Sequence, residues 1–246
     1  MYDGNHLFRT MKIKDSVALV TGANRGLGLS FLKALRAGGA KKIYAGARDP
    51  KAAPAVEGAE WVELDVTKPE AVLALAKKLS DVTLLINNAG VARLESLLSP
   101  KAIANARTEF ETNVIGPLLI TQSFAPVLAA NGGGAVINVL SVLSWVTAPI
   151  IATYAASKAA AWSITNATRT ELAAQKTRVI AVHVGYMDTD MAKGITKPKA
   201  NPDDVARGAL GALEEGADEF LADDTSRFVK SGLSQTPAIY TQPLPE

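Results

Sequence analysis

The chain contains no cysteine, which excludes disulfides, thiol catalysis and cysteine-ligated metals. Histidine is almost as scarce. His6 and His183 are the only two and lie far apart in sequence, so a histidine-rich metal site is not expected. No excess charge of one sign is present either. With 26 basic against 24 acidic residues the net charge is +2, and that balance does not point to nucleic acid or an anionic membrane as partner. No apolar run approaches the ~18–20 residues that span a bilayer. Met1 to Thr10 lacks the apolar core of a signal peptide, and a cytoplasmic location is the default expectation.

What is present is a large supply of core residues. Hydrophobic residues make up 48% of the chain and charged residues 20%, ordinary values for a globular protein. A length of 246 residues suits one domain better than two. The regular pattern begins at about Lys14. Residues 1–13 are therefore expected to be an extension, disordered or vector-derived, with Met11 as a candidate natural start. Residues 14–246 are expected to form a single domain.

Apolar, strand-like runs occur at residues 16–20, 42–47, 61–64, 83–86, 135–140, 179–184 and 219–222. Helical periodicity separates them at 27–37, 69–79, 108–130, 154–174 and 202–214. Pro69 sits where a first helical turn tolerates proline. Several strands are apolar on both faces, which implies a parallel sheet covered on both sides. The reading is an α/β fold: a Rossmann-type, doubly wound parallel sheet of about seven strands. Its ligands would lie at the carboxyl ends of the strands.

The first strand runs into Thr21-Gly22-Ala23-Asn24-Arg25-Gly26-Leu27-Gly28. Glycines there permit a tight turn and close approach of backbone to a pyrophosphate. The following helix points its amides and positive dipole end at that anion. Gly22, Asn24, Arg25, Gly26, Leu27 and Gly28 are the expected cradle. NAD-binding folds usually place an acid at the end of the second strand to hold the ribose 2′-hydroxyl. Here Ala47 stands at that point and Arg48 follows. Arg25 and Arg48 could grip a 2′-phosphate, which favours NADP(H), with NAD(H) possible. Asp49 would be the missing acid if the register were two residues off.

Tyr154 and Lys158 lie four residues apart, one helical turn, so both side chains emerge on one face. A nearby ammonium favours the phenolate and pulls the phenol pKa down. The pair would suit proton transfer in carbonyl/alcohol chemistry. Asn113, inside an expected helix where asparagine is a poor former, suggests a local kink or a bound water.

Taken together, the 21–28 loop, Asp65-Val66, Asn87-Asn88-Ala89-Gly90, Asn113, Ser141, Tyr154 and Lys158 resemble the short-chain dehydrogenase/reductase family in order and spacing. The resemblance runs from about Lys14 to Ala222. It implies that Asp65, with Val66, contacts the adenine; Asp65 could instead serve the next helix start, where Thr67 is the better cap. It implies that Asn88, Ala89 and Gly90 line the cofactor groove while Asn87 steadies the sheet. Asn113 would relay protons through water. Ser141, 13 residues before Tyr154, would bond the substrate carbonyl, with Ser144 as a competitor. Lys158 would also bond the nicotinamide ribose. Gly185 and Thr189 would complete the cofactor site. The family usually has proline where this chain has Val184, and valine lacks proline's restraint on the turn. His183 reads as a packed structural residue.

Catalytic roles thus fall on Asn113, Ser141, Tyr154 and Lys158, with no metal. The apolar residues Val91, Leu143, Trp145, Ile150, Tyr186, Met187 and Met191 are candidate pocket walls, about half of them expected to be core or subunit contacts. They favour a hydrophobic ketone or aldehyde, or the corresponding alcohol. The short segment after Thr189 suggests an open site. The expected activity is NADPH-dependent carbonyl reduction. The alternatives are an NAD-dependent alcohol dehydrogenase, a non-catalytic nucleotide sensor, or a ketoreductase acting on an acyl carrier protein. The resemblance further implies a homotetramer or homodimer built on the two long helices.

Overall fold

A computed structural model describes residues 11–242. Its strands are β1 (Val17–Thr21), β2 (Lys42–Ala47), β3 (Ala59–Glu63), β4 (Leu84–Asn87), β5 (Gly134–Val139), β6 (Thr177–His183) and β7 (Glu219–Leu221). The helices are α1 (Gly26–Ala37), α2 (Pro69–Lys78), α3 (Ala102–Phe110), α4 (Gly116–Ala130), α5 (Ala152–Ala173), α6 (Pro202–Glu215) and α7 (Asp224–Gly232). All strand pairs are parallel, in the order β3–β2–β1–β4–β5–β6–β7. The expected strands are all present, with ends displaced by a residue or two, the usual scatter of element boundaries.

The sheet has two cores because strand residues alternate between its faces. Ala18 and Val20 of β1 join Leu27, Phe31, Leu32 and Leu35 of α1, together with Val205, Ala209 and Leu213 of α6. Val17 and Leu19 of the same strand join Val72 of α2 and Ile120, Phe124 and Leu128 of α4. Each wholly buried Leu, Ile or Phe contributes about 1.5–3 kcal/mol of transfer free energy. β1 and β4 are buried at every position, as a sheet covered on both faces requires.

Four sequence expectations change. The helix expected at 108–130 begins earlier, at Ala102, and is interrupted by a π-helical turn, Glu111–Ile115. By length and composition the stretch Ala102–Ala130 would suffice to cross a membrane, an 18-residue window within it having mean hydropathy 1.4. No run of that length was expected; in the fold, Ile120, Phe124 and Leu128 pack it on the sheet. Helix α7 was not anticipated. Residues 1–10 of the expected extension lie outside the described residues. Ile13, assigned to that extension, is buried in the first core, and its N–H donates to Glu214 Oε1 at 3.0 Å.

Connections turn one way from β1 through β2 to β3 and the other way from β4 to β7. The reversal leaves a crevice beyond the carboxyl ends of β1 and β4, where such folds bind ligands. Thr21, Ala47, Asn87, Val139 and His183 are the last residues of five strands at that edge.

Candidate active site

The glycine loop is shaped by contacts that leave no room for side chains. Gly22 has φ +63°, and a Cβ there would sit 2.9 Å from Ala89 Cα; at Gly28 it would sit 2.3 Å from the Gly22 carbonyl oxygen. Both clashes are prohibitive, so the loop packs directly on the segment leaving β4. Thr21 Oγ1 accepts hydrogen bonds from the Asn88 and Ala89 N–H groups, each at 3.0 Å. Asn88 Nδ2 donates to the carbonyls of Thr21 and Gly22 at 2.9 and 3.1 Å. Asn88 is therefore a brace of the loop, and Thr21, missed in sequence, is its other half. Leu27 is a core residue of the first helical turn, and Asn24 is exposed.

The N-terminus of α1 has no side-chain cap and no acid in its first turn. Its unpartnered amides and positive dipole end fit a pyrophosphate. Thr189 overhangs this point: a Cβ on Gly26 would lie 3.2 Å from its Cγ2. Arg25 pairs with Asp190 at 3.3 Å, both side chains being mostly exposed, and such a pair exchanges partners at little cost. Ala47 is buried at the end of β2, and Arg48 projects into solvent beyond it. The Asp49 carboxylate is committed elsewhere. It caps the following 3-10 turn through the Lys51 and Ala52 N–H groups at 3.0 and 3.3 Å.

Asp65 Oδ1 accepts from the Thr67 N–H and hydroxyl at 3.0 and 2.7 Å. Burial pushes its pKa up, but these bonds and the charge of Arg48 outweigh that and hold it below the usual range. Thr67 is thus a partner of Asp65 and not the cap of α2, whose N-cap is Lys68. Val66 is buried against Gly116, where α4 begins.

At the end of β5, Ser141 N-caps a 3-10 turn, with its hydroxyl accepting from the Leu143 N–H at 3.1 Å. The same hydroxyl reaches the Val184 carbonyl at 3.4 Å and the Tyr154 phenol. Ser144 Oγ accepts from the Ser141 N–H, so Ser144 holds the turn while Ser141 faces Tyr154. Lys158 Nζ donates to the Val139 carbonyl at 2.8 Å and lies 5.7 Å from the Tyr154 ring centroid.

Asn113 sits inside the π turn, where one extra residue per turn rotates it out of helical register. Its Oδ1 accepts from the Val91 N–H at 2.9 Å, and its Nδ2 donates to the Val91 carbonyl at 2.9 Å and to Ser157 Oγ at 3.0 Å. A local kink or a bound water was expected at this asparagine; the irregularity seen is a π turn. Asn87, one strand away, bonds Asn138 and Thr121 at 2.8 and 3.1 Å and ties the sheet to α4.

The electrostatics differ from expectation. Burial pushes the Tyr154 phenol up to about 12; the Ser141 hydroxyl opposes this and Glu109 reinforces it. Burial also brings Lys158 down to about 8. Lys158 does not make the phenol acidic here, because both groups are withdrawn from water and desolvation dominates.

Some candidate pocket residues belong to packing. Trp145 is buried, stacked on His183 at 3.9 Å and edge-on to Trp162 at 6.2 Å. Met187 packs against the first core, and Leu143 packs beside Val142. Tyr186, Met191 and Ile150 are exposed. Val91 is half-buried, held by Asn113. His183 is wholly buried, with Nδ1 3.2 Å from the Ser141 carbonyl, and burial lowers it to about 4. Val184 lacks proline's restraint, but Gly185 N–H donates to Asp223 Oδ2 at 2.6 Å. Glu109 and Asp223 were missed in sequence. Glu109 stands one turn before Asn113, and Asp223 opens a run that reads as a helix cap.

Residues 16–200 match the family model for short chain dehydrogenases. The chain is a short-chain dehydrogenase/reductase. Members of this family are NAD(P)(H)-dependent oxidoreductases acting on CH–OH and C=O groups. This short-chain dehydrogenase/reductase is 32% identical over 247 residues to cis-4-hydroxycyclohexanecarboxylate dehydrogenase of Sinomonas cyclohexanicum, covering 92% of this chain and 97% of the relative. It is 32% identical to the 3-oxoacyl-[acyl-carrier-protein] reductase of a Synechocystis species, over 85% of this chain and 89% of that one. Among solved structures it is similar to a short chain dehydrogenase from Burkholderia cenocepacia in complex with NADP. That match has 41% identity and a TM-score of 0.89, and covers 96% of this chain and 100% of the other.

Proposed function

We propose that this short-chain dehydrogenase/reductase is an NADPH-dependent carbonyl reductase acting reversibly on hydrophobic ketones and aldehydes. The observation that carries the reading is the approach of the Ser141 hydroxyl to a buried Tyr154 phenol beside Lys158. This arrangement stands at the strand edge where the glycine cradle opens. The glycine cradle would hold NADPH, which would supply the hydride. Tyr154 would give its proton to the carbonyl oxygen, Ser141 would orient that oxygen and stabilise its developing charge, and Lys158 would bond the nicotinamide ribose. Asn113 fixes Val91 and, through Ser157, α5.

Preference for NADPH is supported by Ala47 in place of an acid, by Asp49 being committed to a cap, and by the exposure of Arg48 beside them. The neighbour of known structure that binds NADP agrees with it. A cyclic, mostly apolar substrate is supported by the relative named for a hydroxycyclohexanecarboxylate. The outward apolar residues Ile103, Phe110, Ile115 and Leu118, on α3, the π turn and α4, support a homodimer or homotetramer.

The test is consumption of NADPH, then NADH, with cyclohexanone, its 4-carboxylate and open-chain ketones, for the wild type and Tyr154→Phe. Loss of NADPH oxidation in the variant supports the reading. Equal use of NADH, or turnover without Tyr154, overturns it.

A further inference from the structure

His183 closes β6 with a side chain that is wholly buried. Its Nδ1 lies 3.2 Å from the Ser141 carbonyl oxygen, and Trp145 stacks on its ring at 3.9 Å, 20° from parallel. A carbonyl oxygen only accepts, so Nδ1 carries the proton. The other tautomer would set two lone pairs face to face there. It would also aim its N–H at Glu219, 3.9 Å away and beyond hydrogen-bond reach; Lys230 holds that carboxylate at 2.7 Å. Nε2 is thus a bare, buried acceptor with no hydrogen-bond partner among the described residues. That is costly. A phenylalanine would stack on Trp145 without the cost, so packing alone does not call for histidine.

Among the described residues the Ser141 carbonyl has two donors. The Ser144 N–H, at 2.9 Å, belongs to the same 3-10 turn and moves with it. His183 comes from the neighbouring strand. The Leu140 and Val142 N–H groups donate to the Val182 and Val184 carbonyls of that strand at 2.8 and 3.0 Å, on either side of Ser141. The Ser141 hydroxyl reaches Val184 only at 3.4 Å.

We propose that His183 is a positioning residue for the reaction: its Nδ1–H ties the Ser141 carbonyl to β6 and so aims the Ser141 hydroxyl. The proposal rests on the reductase reading for its consequence, since that reading gives Ser141 the substrate oxygen. Poor aim at Ser141 is felt in the transition state, so kcat falls while KM does not rise.

The test begins with nitrogen-15 NMR of ring-labelled histidine at neutral pH, His183→Phe assigning the signals of the two histidines. His183 is expected to be protonated at Nδ1 and bare at Nε2; the opposite tautomer overturns the proposal. H183F keeps the stack and loses the donor, whereas His183→Asn places an amide N–H the same number of bonds from the backbone. In H183F, exchange of the Leu143 and Ser144 amides, both bonded to Ser141, should quicken and kcat should fall, each about tenfold, at unchanged KM for NADPH. In H183N both should return toward the wild type. His183→Leu, the shape of asparagine without the donor, replaces H183F in this comparison if H183F does not fold. Unchanged exchange and kcat without the donor, or an H183N as impaired as the variants lacking it, overturns the proposal. The tautomer and the exchange rates need no substrate, so an absence of ketone turnover would sink the reductase reading and leave this one to be decided separately.

Discussion

Asp223 takes the Gly185 N–H on one carboxylate oxygen at 2.6 Å and the Ser226 N–H on the other at 2.7 Å. One side chain thereby caps α7 and pins the turn after β6, the place where this chain has Val184 instead of proline. Asp223→Ala should lower stability by about 1–3 kcal/mol in urea melts. It should also weaken NADPH binding severalfold by fluorescence titration. Asp223→Asn should retain most of both. A variant that loses stability while binding NADPH normally would show that the turn is held elsewhere.

Replacing Tyr154 by phenylalanine removes the acid but keeps the ring. Turnover should drop by about 10²–10⁴-fold, with an unchanged circular dichroism spectrum and unchanged NADPH affinity. Turnover within about tenfold of wild type would reassign the proton donor.

Arg25 and Arg48 should each contribute to NADPH selectivity. Arg48→Ala should reduce kcat/KM for NADPH about tenfold and leave that for NADH little changed. Arg25→Ala should do the same and also lose the pair with Asp190. Parallel losses with both cofactors would remove these residues from 2′-phosphate recognition.

Two buried groups predict how stability depends on pH. His183 is lowered to about 4 from an ordinary 6.5, so the unfolded chain binds the extra proton first. Its contribution is fully present above about 6.5 and is lost as pH falls toward 4. Lys158 is lowered to about 8 from 10.5. Between those values the unfolded chain again holds more protons, so this residue makes stability rise as pH rises from about 8 to 10.5. Lys158→Met should abolish the alkaline rise and His183→Gln should flatten the acid limb, both measured by denaturant midpoint against pH. Slopes identical to wild type would contradict the assignment.

Strands were legible because a parallel sheet buried on both faces leaves continuous apolar runs such as 17–20 and 84–86. The glycine cradle was legible because a positive φ and a backbone contact under 3 Å at Gly22 restrict residue type severely. Asn113 hinted at a helical irregularity because asparagine is a poor helix former, and the irregularity is the π turn. Trp145 was misplaced because a large aromatic residue shortly after Ser141 suits a pocket and a core equally. Only the stack on His183, from a strand 38 residues later, decides between them. Helix α7 stayed hidden because its sequence is mostly polar and follows a very short strand. Glu109 was overlooked because nothing in its neighbours announces that α3 is turned inward there.

The π turn at Glu111–Ile115 amounts to a single surplus residue lodged in an otherwise continuous rod. Deleting one residue there would let the backbone heal into an unbroken α-helix, a gain in local regularity. It would leave the flanking helical faces in register but close the wide turn itself, carrying Asn113 away from Val91 and Ser157. The lesion would be silent to far-ultraviolet circular dichroism and plain in turnover. This stretch of chain is tuned for where it aims an amide, at the expense of how well it coils.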